Sequence, residues 1–176
     1  ENFAGGTAHV TTRQCIQLYG LNLADIPVIL RRLALVNFFT REASGPIVRN
    51  VTACHLSGVC PQEIFDVSSF ARAVSDYFLR NPITQKLPRK VKIAFSGCSR
   101  DCGLTLVHDL AAIAIMKEQE GILSRGFRVL VGGGLGVAPR IAKVLENFIG
   151  IDELLPTFEA VLSVYNQDGD RQSRAK

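Results

Sequence analysis

The 176-residue sequence has no tryptophan, one methionine and only three histidines. With three tyrosines beside ten phenylalanines and no run of basic residues, it lacks both the stacking platform and the charge footprint of a nucleic-acid surface, although Lys and Arg outnumber Asp and Glu by 20 to 16. No apolar stretch reaches the roughly 18 to 20 residues of a membrane span; Leu110 to Met116 and Ile26 to Leu30 stop far short. No signal-peptide pattern opens the chain, and repeats, heptads and low-complexity tracts are absent. A cytoplasmic setting with neither nucleic acid nor membrane as partner is expected. Met116 is the lone methionine, so Glu1 is not an initiator and the chain is expected to be a piece of a longer protein. What it does have is 47% hydrophobic residues, enough to offset the entropy of ordering one or two small domains.

Five cysteines, an odd number without a secretory signature, argue against a disulfide framework and for metal-binding or free thiols. Cys54 and Cys60 form a Cys-x5-Cys pair, Cys98 and Cys102 a Cys-x3-Cys pair, and Cys15 stands alone as a buried bystander. Both pairs lie in turn-prone sequence, Cys54 to Pro61 and Ser96 to Gly103, where glycines let backbone fold tightly around an iron-sulfur centre. Structural zinc prefers pairs two to four residues apart, which suits Cys98 and Cys102 but not Cys54 and Cys60.

Alternation predicts a strand over Thr11 to Gly20, and helical spacing predicts a helix from Ile26, with Asp25 as cap and Pro27 in its first turn. The Gly-Pro connection Glu42 to Pro46 places a domain boundary at about residue 43. Further on, a helix is expected from Ser68 to Leu79 and a strand from Pro88 to Phe95, with Lys90, Lys92 and Ala94 on one face and Val91, Ile93 and Phe95 on the other. Strands at Leu110 to Met116 and Gly126 to Val131, helices at Pro139 to Ile149 and Asp152 to Tyr165, and a polar tail from Asn166 complete an α/β or α+β pattern.

A strand, Gly132-Gly133-Gly134-Leu135-Gly136 and then a helix would offer backbone N–H groups and a positive helix end to an anion. A dinucleotide fingerprint is incomplete, because Val137 stands where its third glycine belongs. Arg13, Arg49, Arg89, Lys90 and Lys92 are embedded in strand or loop sequence, where an anionic ligand would offset their desolvation, although Lys90 and Lys92 could equally line an exposed sheet face.

The segments Thr11 to Gln14, Val48 to Cys54, Leu87 to Phe95 and Val131 to Gly136 occur in the order typical of siroheme-dependent nitrite and sulfite reductases, and the chain resembles that family over about Thr11 to Lys176. The resemblance implies an α+β fold: part of a ferredoxin-like half-domain over residues 1–43, then a siroheme and 4Fe-4S domain with a mixed sheet over 44–176. It implies six-electron reduction of sulfite to sulfide or nitrite to ammonia, with ferredoxin or a flavoprotein as electron donor. By the same likeness Cys54, Cys60, Cys98 and Cys102 are the cluster ligands, Cys102 bridging to the haem. Arg49, Lys90 and Lys92 form the cation cage for the oxyanion, and Arg13, Asn50, Arg89, Gly132, Gly133, Gly134 and Gly136 lie against siroheme. In most of the family two homologous halves divide these roles, whereas here one half carries both lysines and cysteines, which implies a second half or a homodimer partner. A non-catalytic scaffold or electron-transfer paralogue, and a nucleotide-binding domain built on the glycine loop, are the alternatives.

Overall fold

The computed structural model describes residues 3–119 and 121–172, and the chain divides into two compact units, Glu1–Ala43 and Ser44–Lys176. In the first, β1 (Ala8–Val10) pairs antiparallel with β2 (Ile16–Leu18), followed by α1 (Ile26–Leu35). The single strand expected over Thr11 to Gly20 is thus a hairpin. Thr11 turns the chain: its hydroxyl accepts from the Arg13 and Cys15 N–H groups, and Gln14 takes a left-handed φ of 56°. Pro27 sits in the first turn of α1, where its missing N–H costs nothing. Asp25 holds the N-cap position, but its carboxylate makes no capping bond and accepts instead from the Asn22 side chain at 3.4 Å.

The second unit is a five-stranded mixed sheet in the order β3 (Val48–Ala53), β4 (Val91–Ser96), β5 (Leu110–Gln119), β6 (Ile122–Val131), β7 (Lys143–Gly150). The first three strands are parallel, and the last two continue antiparallel as hairpins. Helices α2 (Ser68–Phe78) and α3 (Leu154–Asp168) pack into the same core, which also takes the alternate residues Val91, Ile93 and Phe95 of β4. Phe127 is its hub, with ring centroids 5.4 Å from Phe65, 5.1 Å from Phe70 and 5.8 Å from Phe95, all edge-on. Burying one such side chain stabilises the fold by about 1.5 to 3 kcal/mol.

The strict alternation of β4 leaves Lys92 and Ala94 on the opposite face, where a smaller cluster of Ala111, Ile113, Leu130 and Ala142 lies. The helix expected over Pro139 to Ile149 is instead the edge strand β7. Short apolar runs there satisfy helical and extended periods alike, and the open edge of β6 decides between them by offering a ladder from Gly126 to Val131. Beyond α3, residues 169–172 fold back. Arg171 donates to the Lys86 and Asn166 carbonyls, both at 2.8 Å. Of the polar tail, Ser173 to Lys176 lie outside the described residues.

Candidate functional site

Two neighbouring parallel strands deliver the cysteines. Ala53 pairs with Phe95, so the loop after β3, carrying Cys54 and Cys60, and the loop after β4, carrying Cys98 and Cys102, leave the same end of the sheet. The Cys54 N–H donates to the Phe95 carbonyl at 2.9 Å and extends the ladder beyond the strand. Gly103 closes against that junction: a Cβ there would stand 2.7 Å from the Phe95 carbonyl oxygen. Cys54 and Cys98 are buried, Cys60 and Cys102 half-buried, and all are free thiols.

Burial pushes the Cys54 thiol above its ordinary pKa, the Leu56 N–H pulls it down, and Cys102, Cys98 and Cys60 push it up again through their charge. All three other sulfurs therefore lie within electrostatic reach of Cys54. Among the described residues, however, no three His, Cys, Asp or Glu side chains group closely enough to hold one metal ion. A single zinc with bonds of about 2.3 Å would draw its sulfurs to roughly 3.8 Å from one another. A four-iron cluster binds one sulfur at each iron and spaces them more widely. Four convergent thiols too dispersed for one ion suit the cluster and not zinc.

Short-range bonds hold each loop. Both carboxylate oxygens of Glu63 accept from the Gly58 N–H, at 2.9 and 3.0 Å, in the middle of the first loop, where Gly58 has a φ of 85°. The Ile64 N–H donates to the Gly97 carbonyl at 2.8 Å, tying the first loop's exit to the second loop's start. In the second loop the Asp101 carboxylate accepts from the Thr105 N–H at 2.8 Å and its hydroxyl at 2.7 Å. Ser57 and Ser68 both donate to Asp66, and these bonds, Ser68 first, hold its carboxyl below the usual range.

A second constellation forms further back along the same strands. Val48 pairs with Val91 but Val51 with Ile93, so Arg49 and Asn50 together stand opposite Lys92, the two-against-one pattern of a bulge. The Arg49 Nε donates to the Gly45 carbonyl at 3.3 Å. Asp109 joins the group: its Oδ2 accepts from the Lys92 N–H, and its carbonyl from the Gly132 N–H, both at 2.8 Å. Lys90 precedes β4 and is exposed. Lys92 and Ser96 are four residues apart on β4, about 13 Å at strand rise, so the cations and the thiols occupy different ends of the strand pair.

The glycine loop turns β6 into β7 and is followed by no helix, so no helix end serves an anion there. Its amides are also engaged: Gly133 N–H donates to the His108 carbonyl at 3.0 Å and Gly134 N–H to the Arg140 carbonyl at 2.9 Å, beside the Gly132 bond to Asp109. The expectation of a loop with N–H groups free for an anion is corrected for these three residues. Gly133 is glycine because of close packing, since a Cβ would lie 2.6 Å from the Leu106 and His108 carbonyl oxygens. Around Gly134 and Gly136 there is open space.

Arg89 donates to the Gln172 carbonyl at 3.4 Å, and its buried Nε makes no hydrogen bond. Tyr165 lies beside it. Burial first, then the Asp109 charge, raises the Tyr165 phenol, against the Arg89 N–H and the Arg89 and Arg171 charges. Arg13 belongs to the first unit, at the half-buried turn of its hairpin. Sequence reasoning missed Gln62, Glu63, Arg100 and Asp109. Only Arg100 carried a signal, as a cation between Cys98 and Cys102.

Residues 44–176 match the family model for the nitrite and sulphite reductase 4Fe-4S domain, and residues 1–36 that for the nitrite/sulfite reductase ferredoxin-like half domain. The chain belongs to the nitrite and sulfite reductase family. It is 33% identical to an assimilatory ferredoxin-dependent nitrite reductase of Haloferax mediterranei, covering 99% of this chain and 30% of the relative. To a sulfite reductase [ferredoxin] of Mycolicibacterium paratuberculosis it is 34% identical, over 99% of this chain and 30% of the relative. The solved structure of the Mycobacterium tuberculosis NirA protein superposes with a TM-score of 0.88 at 31% identity, over 99% of this chain and 31% of that one. A dissimilatory sulfite reductase I shares the fold at a TM-score of 0.81 and 17% identity. The chain thus spans about a third of the relatives' length, and siroheme with a 4Fe-4S cluster are the cofactors of the family.

Proposed function

We propose that this chain is the cluster-holding half of a reductase that carries sulfite to sulfide or nitrite to ammonia by six electrons. The convergence of Cys54, Cys60, Cys98 and Cys102 from two adjacent strand ends, with Cys54 in electrostatic reach of the other three, carries the reading. When bound, siroheme and the cluster supply the electrons. The four cysteines would hold the cluster, and Arg13, Asn50 and Arg89 would meet siroheme carboxylates. Gly132, Gly133, Gly134 and Gly136 contribute by lacking side chains, the open space at Gly134 and Gly136 allowing a flat group to approach.

Arg49, Lys90 and Lys92 are the groups for the oxyanion. Two of them meet across the bulge, where a guanidinium matches two oxygens at once and an ammonium can pass a proton to an oxygen leaving as water. A second homologous half, or a second copy of this chain, would complete the enclosure. Ferredoxin is the donor we favour, since it appears in the names of both relatives, and a cytoplasmic location suits such a donor.

The test is anaerobic expression with siroheme supplied, followed by iron analysis and an absorption spectrum. A siroheme band with about four irons per cluster is expected, and Cys98→Ser should abolish the iron. Protein that takes up neither group overturns the reading. Lys90→Ala with Lys92→Ala should leave both cofactors in place and remove turnover; unchanged turnover would favour the scaffold or electron-transfer alternative.

A further inference from the structure

Gln62 and Arg100 come from the two different cysteine loops and meet beside Cys60. The Gln62 Oε1 accepts from the Cys60 thiol at 3.4 Å and from the Arg100 Nη1 at 3.2 Å. One amide oxygen therefore links a cation of the second loop to a sulfur of the first. Both side chains are exposed. Among the described residues no carboxylate forms a salt bridge with Arg100, so its charge is not neutralised locally.

We infer that Arg100, held in place through Gln62, is a positioning residue for the Cys60 sulfur and raises the reduction potential of the iron-sulfur cluster. The inference rests on the proposal that Cys60 is a ligand. A sulfur bound to iron carries no proton, so the bond from Cys60 to Oε1 is lost and Arg100 remains the donor that holds the amide. Each electron gained adds negative charge to the irons and their sulfurs, and a fixed cation nearby favours the reduced form more than the oxidised one. Gln62 supplies the fixing. Without it a long exposed arginine spreads its charge over many rotamers in water, and little of the effect survives.

The measurement is a redox titration of the cluster-loaded protein at low ionic strength, followed by electron paramagnetic resonance of the reduced cluster, with iron content determined on each variant. Arg100→Ala should lower the midpoint potential, Arg100→Glu should lower it further, and Arg100→Lys should retain part of the wild-type value. Gln62→Leu should shift it downward while every charge is kept. All the shifts should shrink as salt rises toward 1 M, where the Debye length is about 3 Å. Midpoints unchanged in Arg100→Ala and Arg100→Glu overturn the inference, and so does loss of iron from all four variants, which would make the pair a structural requirement and nothing more. Wild-type protein that binds no iron overturns the reductase proposal instead, so the two failures are distinguishable.

Discussion

The cysteine loops and the glycine loop are both tight, glycine-bearing connections at strand ends, yet they use their glycines in opposite ways. In the cysteine loops, Gly58 and Gly103 let the backbone turn beneath sulfurs that remain free. In the glycine loop, Gly132, Gly133 and Gly134 give their N–H groups to protein carbonyls, and the turn is spent on its own packing. Glycine content alone marks a place of close approach. Which groups are left over for a ligand depends on where the hydrogen bonds go.

The largest effect that could break this contrast is at Gly133. Gly133→Ala should destabilise the protein by about 3 kcal/mol, since a methyl cannot stand 2.6 Å from two backbone oxygens without moving them. Gly134→Ala, with open space around it, should leave the unfolding midpoint in denaturant almost unchanged. Equal losses at both positions would remove the packing account.

Glu63→Ala should cost about 1 kcal/mol through the two bonds to Gly58, and amide exchange should accelerate first at Gly58. Protection that falls equally across the sheet would show that Glu63 supports the fold as a whole and not the loop. Smallest is the acid limb at Asp66. Its carboxyl is held below the usual range by Ser68 and Ser57, so its contribution to stability is present above the ordinary carboxylate pKa of about 4 and is lost as pH falls through the lowered folded value. Asp66→Asn should flatten the slope of unfolding free energy against pH in that window and leave neutral pH nearly unaffected.

Most of the core-forming pattern could be read before any coordinates. Val91, Ile93 and Phe95 alternate into the core as their period requires, and α2 and α3 start within two residues of their expected positions. The cysteine pairs were legible because spacing and flanking glycines are local. Residues 139 to 149 were misread because a short run with Ile141, Val144, Leu145 and Ile149 suits either period, and the deciding partner, β6, is supplied by tertiary pairing. Glu63 and Asp109 were invisible for the same reason: a carboxylate's importance here lies in which distant N–H it meets, Lys92 for Asp109 across 17 residues.

The slip between Val48 and Val51 has an evolutionary side. Both valines face the same core although three positions separate them, because one residue between them is supernumerary to the pleat. Deleting Asn50 would leave the valines two apart, still in phase, and the sheet would keep its packing while Arg49 lost its neighbour. A single codon therefore separates a fold equipped for anions from an equally foldable version without the equipment, which gives such domains an inexpensive route to duplicate, fall silent in one copy and divide their labour.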